Sequence, residues 1–449
     1  MILNIINGEV MIDLIATAPL VAQADMPQSR VEVQEKTRTQ EESGFIHSKE
    51  GGRFQIVKTL PKKAEDFDHS FDYADAFGVL RIAGIYSDLL DGIDTSAVSV
   101  GGQFGFQTAS YHGVSARLGA YTSQKVSALT DSDKLNQDYF DENGNSFTYI
   151  AEANVAYDNE FFQVKGGRVR IDTPYADSDD IRMAPNTFEG VWSHFDFTDE
   201  WKAQAMYLTR WAGFDSGEDQ NEFKKFFKNP KSGEMSNGLL GVSLSYVIDD
   251  VNDVSLWYYH VDKMCDIAYA EAAGDIVFSE DLHVEYGLQG SVILESSSSG
   301  VDGEVLGAMA LLHYDMVYGG AAFNYAFVDD GNYIVNGFGG GPYYTSLDES
   351  TIGFVSGAVP GEDVSSYRLG AGVDFSSWGP KGLVMEYIYG DLESEESASF
   401  SEQDIMVSYE ITDKLYFEGT FAHFNIDKSK IELDADEFDR YIVRMDYSF

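Results

Sequence analysis

The chain has 449 residues, with 75 Asp and Glu against 30 Lys and Arg, a net charge of -45. That balance excludes nucleic acid and anionic surfaces as general partners. Cys265 is alone, so no intrachain disulfide forms, and the eight histidines show no HExxH or CxxC spacing for a zinc or thiol redox site. No run of 18 apolar residues exists, which excludes a membrane-spanning helix but not a membrane-spanning barrel.

Residues 1–24 contain no Lys or Arg. An apolar stretch, Ile12 to Val21, interrupted by Asp13, precedes Ala22-Gln23-Ala24. The small-x-small ending predicts an atypical signal peptide cut after Ala24. Residues 25–76 are rich in Gln, Glu, Lys and Thr and nearly charge-balanced. Two readings stay open for them: a periplasmic extension, or a partial plug placing Arg53, Lys58, Lys62 and Lys63 in an acidic lumen.

From Phe77 to Phe449 the pattern changes to segments of about ten residues with period-two alternation. Strands are expected at 77–86, 97–108, 112–121, 147–157, 160–171, 187–197, 201–211, 237–249, 253–263, 266–278, 281–294, 303–314, 316–328, 364–375, 380–391, 400–411, 414–424 and 438–449. Their connections alternate in length. Short turns such as Asp158-Asn159, Asp249-Asp250 and Thr412-Asp413 stand against long loops at 122–146, 172–186, 212–236, 329–363, 391–400 and 425–437. Short turns on one rim and long loops on the other predict an all-β fold: an 18-stranded antiparallel transmembrane barrel with short periplasmic turns and long extracellular loops. Abundant Tyr (27) and Phe (30) suit aromatic girdles at the two interfaces.

The last strand carries Tyr441, Val443, Met445, Tyr447 and Phe449 on one face and Arg440, Arg444, Asp446 and Ser448 on the other. It resembles the C-terminal signal by which bacterial outer-membrane barrels engage the barrel assembly machinery. A charge facing lipid costs about 2–4 kcal/mol at the midplane. Strand parity therefore predicts that Arg81, Arg117, Arg210, Arg368, Arg440 and Arg444 point inward, with Glu152, Glu285, Glu386, Glu410 and Glu418. Strand 160–171 is ambiguous, because Lys165 has the opposite parity to Arg168 and Arg170, so a bulge or an early end is needed.

Residues 166–190 read Gly-Gly-Arg-Val-Arg-Ile-Asp-Thr-Pro-Tyr-Ala-Asp-Ser-Asp-Asp-Ile-Arg-Met-Ala-Pro-Asn-Thr-Phe-Glu-Gly. This stretch resembles the region of OprD-like (Opr family) outer-membrane porins where a strand runs through a loop with "R-x-x-P" into the next strand. Arg168, Pro174, Arg182 and Pro185 match. The resemblance implies that this loop folds inward as a constriction. It also implies passive diffusion of small hydrophilic solutes, small carboxylates among them, past pore-lining arginines: Arg81, Arg117, Arg168, Arg182, Arg210, Arg368 and Arg444. The Asp-rich constriction segment, Asp172, Asp177, Asp179 and Asp180, departs from the more neutral loop of that family.

Two other functions fit parts of the chain. A barrel hydrolase would use His194, His260 or His313 beside one of the many serines. A metal-binding or adhesive surface protein would use Asp141-Glu142-Asn143-Gly144-Asn145, or a weak calcium site at Asp177, Asp179 and Asp180. Neither an enzyme nor a resident cofactor is expected. The expected partners are small solutes and outer-membrane lipid, and the oligomer is a monomer or a homotrimer.

Overall fold

A computed structural model describes residues 3–6, 9–12, 63–89, 92–159, 161–217, 219–249, 251–279, 281–427 and 437–449. Leu3–Ile6 and Glu9–Ile12 pair as a two-stranded piece. The expected cleavage after Ala24 lies outside the described residues.

Eighteen strands form one closed barrel. In chain order they are β1 (Asp75–Leu89), β2 (Thr95–Gln107), β3 (Val114–Lys125), β4 (Phe147–Asp158), β5 (Phe162–Val169) and β6 (Thr187–Asp196). Next come β7 (Trp201–Ala212), β8 (Leu239–Val247), β9 (Asn252–Val261), β10 (Cys265–Ser279), β11 (Leu282–Glu295) and β12 (Gly303–Tyr314). The last six are β13 (Val317–Phe327), β14 (Val364–Asp374), β15 (Leu383–Ser394), β16 (Ser399–Thr412), β17 (Leu415–Ile426) and β18 (Phe438–Ser448). Each expected segment holds one of these strands. The ambiguous fifth ends at Val169, and Arg170 begins a loop.

Every strand pairs antiparallel with its neighbours in sequence, and β18 pairs with β1 from Phe438↔Leu89 to Ser448↔Val79. Closure leaves no edge, the condition for a sheet in hydrocarbon, where unpaired amides find no water. Phe449 completes the seam. It exchanges backbone bonds with Gly78 (3.0 and 3.2 Å), and a Cβ on Gly78 would sit 2.5 Å from the Phe449 ring.

The outer face is apolar. On β18, Tyr441, Val443, Met445 and Tyr447 are exposed while Arg440, Ile442, Arg444, Asp446 and Ser448 are buried. Aromatic pairs gather at both rims: Phe104–Phe449 and Trp201–Tyr246 beside the short turns, Tyr86–Tyr441 and Tyr367–Tyr389 beside the long loops. An apolar band between aromatic girdles makes this a transmembrane barrel. No helix among the described residues is long and apolar enough to cross a membrane.

The barrel interior is occupied from the long-loop side. Residues 170–186 fold inward, as expected, and so does 328–363, which carries α2 (Ile352–Ala358) and buries Tyr343, Tyr344, Leu347, Phe354 and Val355. The loop after β7 joins them. Trp211 and Phe226 stack at 6.3 Å, and Phe338 meets Phe226 edge-on at 4.7 Å. At the other rim, α1 (Phe67–Asp72) leaves Phe67 and Phe71 exposed, while Ala64 N and Ala109 N bond to Ser110 O and Ser70 O respectively. The described part of 25–76 thus sits beside the β2–β3 turn. Lys63 is exposed there; Arg53, Lys58 and Lys62 lie outside the described residues.

Candidate functional site: an ion-paired constriction

The inward loop 170–186 is tied down before any charge is considered. Asp172–Thr173 and Ala176–Asp177 form a two-residue ladder across Pro174-Tyr175. A glycine-rich segment, 337–341, lies against it: Asp177 N donates to Phe338 O and Phe338 N to Tyr175 O. Gly339 has φ +119, and a Cβ there would be 2.4 Å from the Asp177 carbonyl, so glycine is required for this approach. Tyr175 and Tyr343 join hydroxyls at 3.0 Å.

The loop tip then meets a basic wall on β18 and β1. Arg81 grips Asp446 through Nε (2.8 Å) and Nη2 (2.7 Å), and Asp180 through Nη1 (2.6 Å) and Nη2 (2.9 Å). Its Nη1 also donates to the Arg182 carbonyl. Arg444 donates to Asp180 O at 2.7 Å and to Glu418 at 3.1 Å. Burial alone would raise the Asp180 carboxyl, but the Arg81 guanidinium overrides it and holds Asp180 below the usual range.

Higher in the barrel, Arg182 pairs with Asp138 at 3.2 Å and lies 3.7 Å from Glu349, and its guanidinium covers the Phe214 ring. Arg440 donates to Glu349 at 2.6 Å. Arg117 binds Glu152 at 2.6 Å, and Tyr121 donates to the same carboxylate. Arg368 donates to the Ser346 carbonyl at 2.9 Å. Five expected pore residues (Arg81, Arg117, Arg182, Arg368 and Arg444) are therefore brought to the inner face or the inward loop.

Arg168 and Arg210 are not. Ladder partners share a face. Arg168 is opposite Glu189 on β6 and Ala153 on β4, and Glu189 is opposite Arg210 on β7. All lie on the face of Val155 and Val191, which point out. A register shift between Glu189 and Gly190 inserts Thr209 into β7, turning Trp211 in and Arg210 out. The expectation that these two arginines line the pore is corrected. They sit within two residues of the long-loop rim, where the cost of an outward charge falls to about 0–1 kcal/mol. Glu410, expected inward, is opposite Tyr416 on the inward face and is exposed there at the short-turn rim.

The calcium expectation is also corrected. Asp180 turns to Arg81 rather than joining Asp177 and Asp179, and no group of three His, Cys, Asp or Glu among the described residues is arranged to hold a metal. Asp179 packs by the glycines, its Oδ2 lying 2.8 Å from where a Gly340 Cβ would be. Burial, then the charges of Asp177 and Asp215, push the Asp179 carboxyl well above its ordinary value. Residues 141–145 form a turn closed by Asp141, which accepts from Asn143 N and Asn145 N. The three histidines of the hydrolase reading are dispersed: His194 bonds Asp196, His260 bonds Asp266, and His313 stacks on His283 near Glu285.

What escaped the sequence reading is the pairing: Asp446, placed on the polar face with no partner named, holds Arg81, and Glu349, within a long loop, holds Arg440. Lys165 and Arg170, given opposite parity, are both buried inside because β5 ends at Val169, and the Arg170 Nε has no partner. The signal for Glu349 lay in the apolar residues Tyr343, Leu347, Ile352 and Phe354 around it, a composition unsuited to a solvated loop.

The closed 18-stranded barrel is a fold that this chain shares with solved porins. The chain is similar in structure to Pseudomonas aeruginosa OccK9 (OpdG), with TM-score 0.70 and 14% identity over 85% of this chain and 99% of that one. It is similar to P. aeruginosa OpdK with vanillate (TM-score 0.68, 15% identity, 84% and 99%) and to a BenF-like porin from Pseudomonas fluorescens Pf-5 (0.70, 13%, 85% and 99%). No family model matches the sequence, and no curated protein matches it.

Proposed function

We propose that this chain is an outer-membrane porin through which small hydrophilic solutes and ions diffuse passively. One observation carries the reading. A closed barrel, apolar outside, holds a loop in its interior by buried arginine–carboxylate bonds at Arg81, Asp180 and Asp446. Such a constriction sets size and charge selection and needs no bond-breaking chemistry, so the protein is not an enzyme. The eighteen-stranded fold shared with porins of Pseudomonas supports the placement in the bacterial outer membrane.

Charge selection follows from pairing. Thirteen carboxylates but eight Lys or Arg are buried among the described residues. Arg81, Arg117, Arg182, Arg440 and Arg444 each already hold a carboxylate. The field that they offer an entering anion is largely cancelled, and the remaining acidic groups favour cations. Passage of small carboxylates is the second reading, favoured by the unpartnered Arg170 Nε. OpdK with vanillate lends this reading an example in another protein. Reversal potential under a salt gradient separates the two.

Around the pore, residues 1–24 act as an export signal and 25–74, up to the start of β1, as a periplasmic extension, consistent with α1 lying at the short-turn rim. The final Phe449 presents the barrel assembly machinery with its signal. The protein works as a monomer or a homotrimer.

A further inference from the structure

Arg168 and Arg210 are unusual for their direction. Among the described residues they are the only strand-borne Lys or Arg side chains that point out of the barrel; the others point in. Elsewhere along the long-loop rim the outward groups are acids: Asp266 with His260, Asp439 with His423, and Asp391 with Tyr389. On a chain of net charge -45, the outward face of β5–β7 is the sector where cations cluster.

The cluster is built. Glu189 spans both guanidinium groups, lying 3.5 Å from Arg168 Nε through one oxygen and 2.6 Å from Arg210 Nη2 through the other. Arg168 Nη1 is anchored on the Ile150 carbonyl, and its Cζ rests 4.2 Å over the Phe223 ring. These contacts hold the two forks side by side. Two arginines against one glutamate leave a net positive charge. Arg168 Nη2 and Arg210 Nη1 are left to donate outward from side chains that are 32% and 44% exposed. Planar forks with spare donors suit the oxygens of a phosphate, which near neutral pH carries about -1.5 to -2 charge as a monoester. Phe223 backs the Arg168 fork and is itself held edge-on by Tyr149 at 6.4 Å.

We propose that Arg168, Arg210 and Phe223 form an outward-facing binding site for the phosphate of a phosphorylated glycolipid in the outer leaflet. The site rests on the outer-membrane placement above but not on conduction. In this role Glu189 positions the arginines and competes with the phosphate for them.

The test is native mass spectrometry of the full-length, delipidated barrel. It is titrated with bisphosphorylated lipid A, with its dephosphorylated counterpart and with inorganic phosphate. Folding of each variant is read by heat-modifiable gel migration. The wild type binds the bisphosphorylated lipid at least tenfold more tightly than the dephosphorylated one. The R168Q/R210Q variant loses that preference, and E189Q, which removes the competing anion, binds several-fold more tightly than wild type. Because the cluster lies outside the barrel, unitary conductance is unchanged in both variants, so a failure here leaves the pore reading standing. Equal binding by wild type and R168Q/R210Q overturns the proposal, as does E189Q binding no more tightly. Displacement of the lipid by equimolar inorganic phosphate overturns the lipid source. Lipid-independent oligomers lost only in R168Q/R210Q would assign the cluster to a subunit contact instead.

Discussion

Arg81 and Asp180 are bonded through two guanidinium nitrogens across 99 residues of chain, joining the first strand of the barrel to the tip of the loop folded inside it. The same guanidinium holds Asp446 on the strand that closes the barrel. One residue thus secures both the seam and the constriction.

Removing one partner of a buried ion pair leaves the other uncompensated, at a cost of about 3–5 kcal/mol. Arg81→Gln lowers unfolding stability by that order, read as a shifted urea midpoint in detergent. It also leaves Asp180 and Asp446 unneutralised, so the reversal potential moves further toward cation selectivity. A variant with unchanged stability and an anion-ward shift would deny Arg81 this role.

The loop clamp has its own probe. Gly339→Ala adds a Cβ at φ +119 against the Asp177 carbonyl, which the backbone cannot accommodate. The 337–341 segment must move and release the loop at 172–179. Larger unitary conductance and faster proteolysis within 170–186 are expected, with the barrel still heat-modifiable. Conductance equal to wild type would show that this contact does not set the constriction.

Asp179 gives the pH dependence. Its folded-state carboxyl is raised, so the stability it contributes is fully present below the ordinary Asp value and is lost as pH rises through the raised value. Deprotonation then places a charge beside Asp177 and Asp215 in the inward loop. Cation preference increases with pH and the loop loosens. Asp179→Asn flattens both trends. An identical pH profile in D179N would assign them elsewhere.

At the seam, deleting Phe449 removes two backbone bonds to Gly78 and the ring that covers it. The yield of heat-modifiable barrel in the outer membrane falls several-fold, as measured by fractionation and gel shift. Normal assembly of the truncated chain would take the terminal residue out of the account.

The barrel was legible because alternation and loop length are local signals. All eighteen strands follow from period-two patterning, and the inward course of 170–186 follows from its resemblance to porin constrictions. Parity is only as good as the register. The shift at Glu189/Gly190 reverses Arg210 relative to Lys202 and Gln204 on one strand, and no propensity marks that bulge beforehand. Partners across distant loops were equally hidden. Nothing near Asp180 or Glu349 in sequence names Arg81 or Arg440. The second inward loop read simply as a long one, although its buried Tyr343, Tyr344 and Phe354 are a poor fit to solvent.

The most direct measurement is single-channel recording of purified, heat-modifiable protein in a planar bilayer, with the reversal potential taken under a salt gradient. Stable open steps that prefer cations are predicted, with both conductance and selectivity altered in Arg81→Gln. A folded barrel that gives no steps, in the full chain and after removal of residues 25–62, would contradict the proposal that this protein is a passive pore.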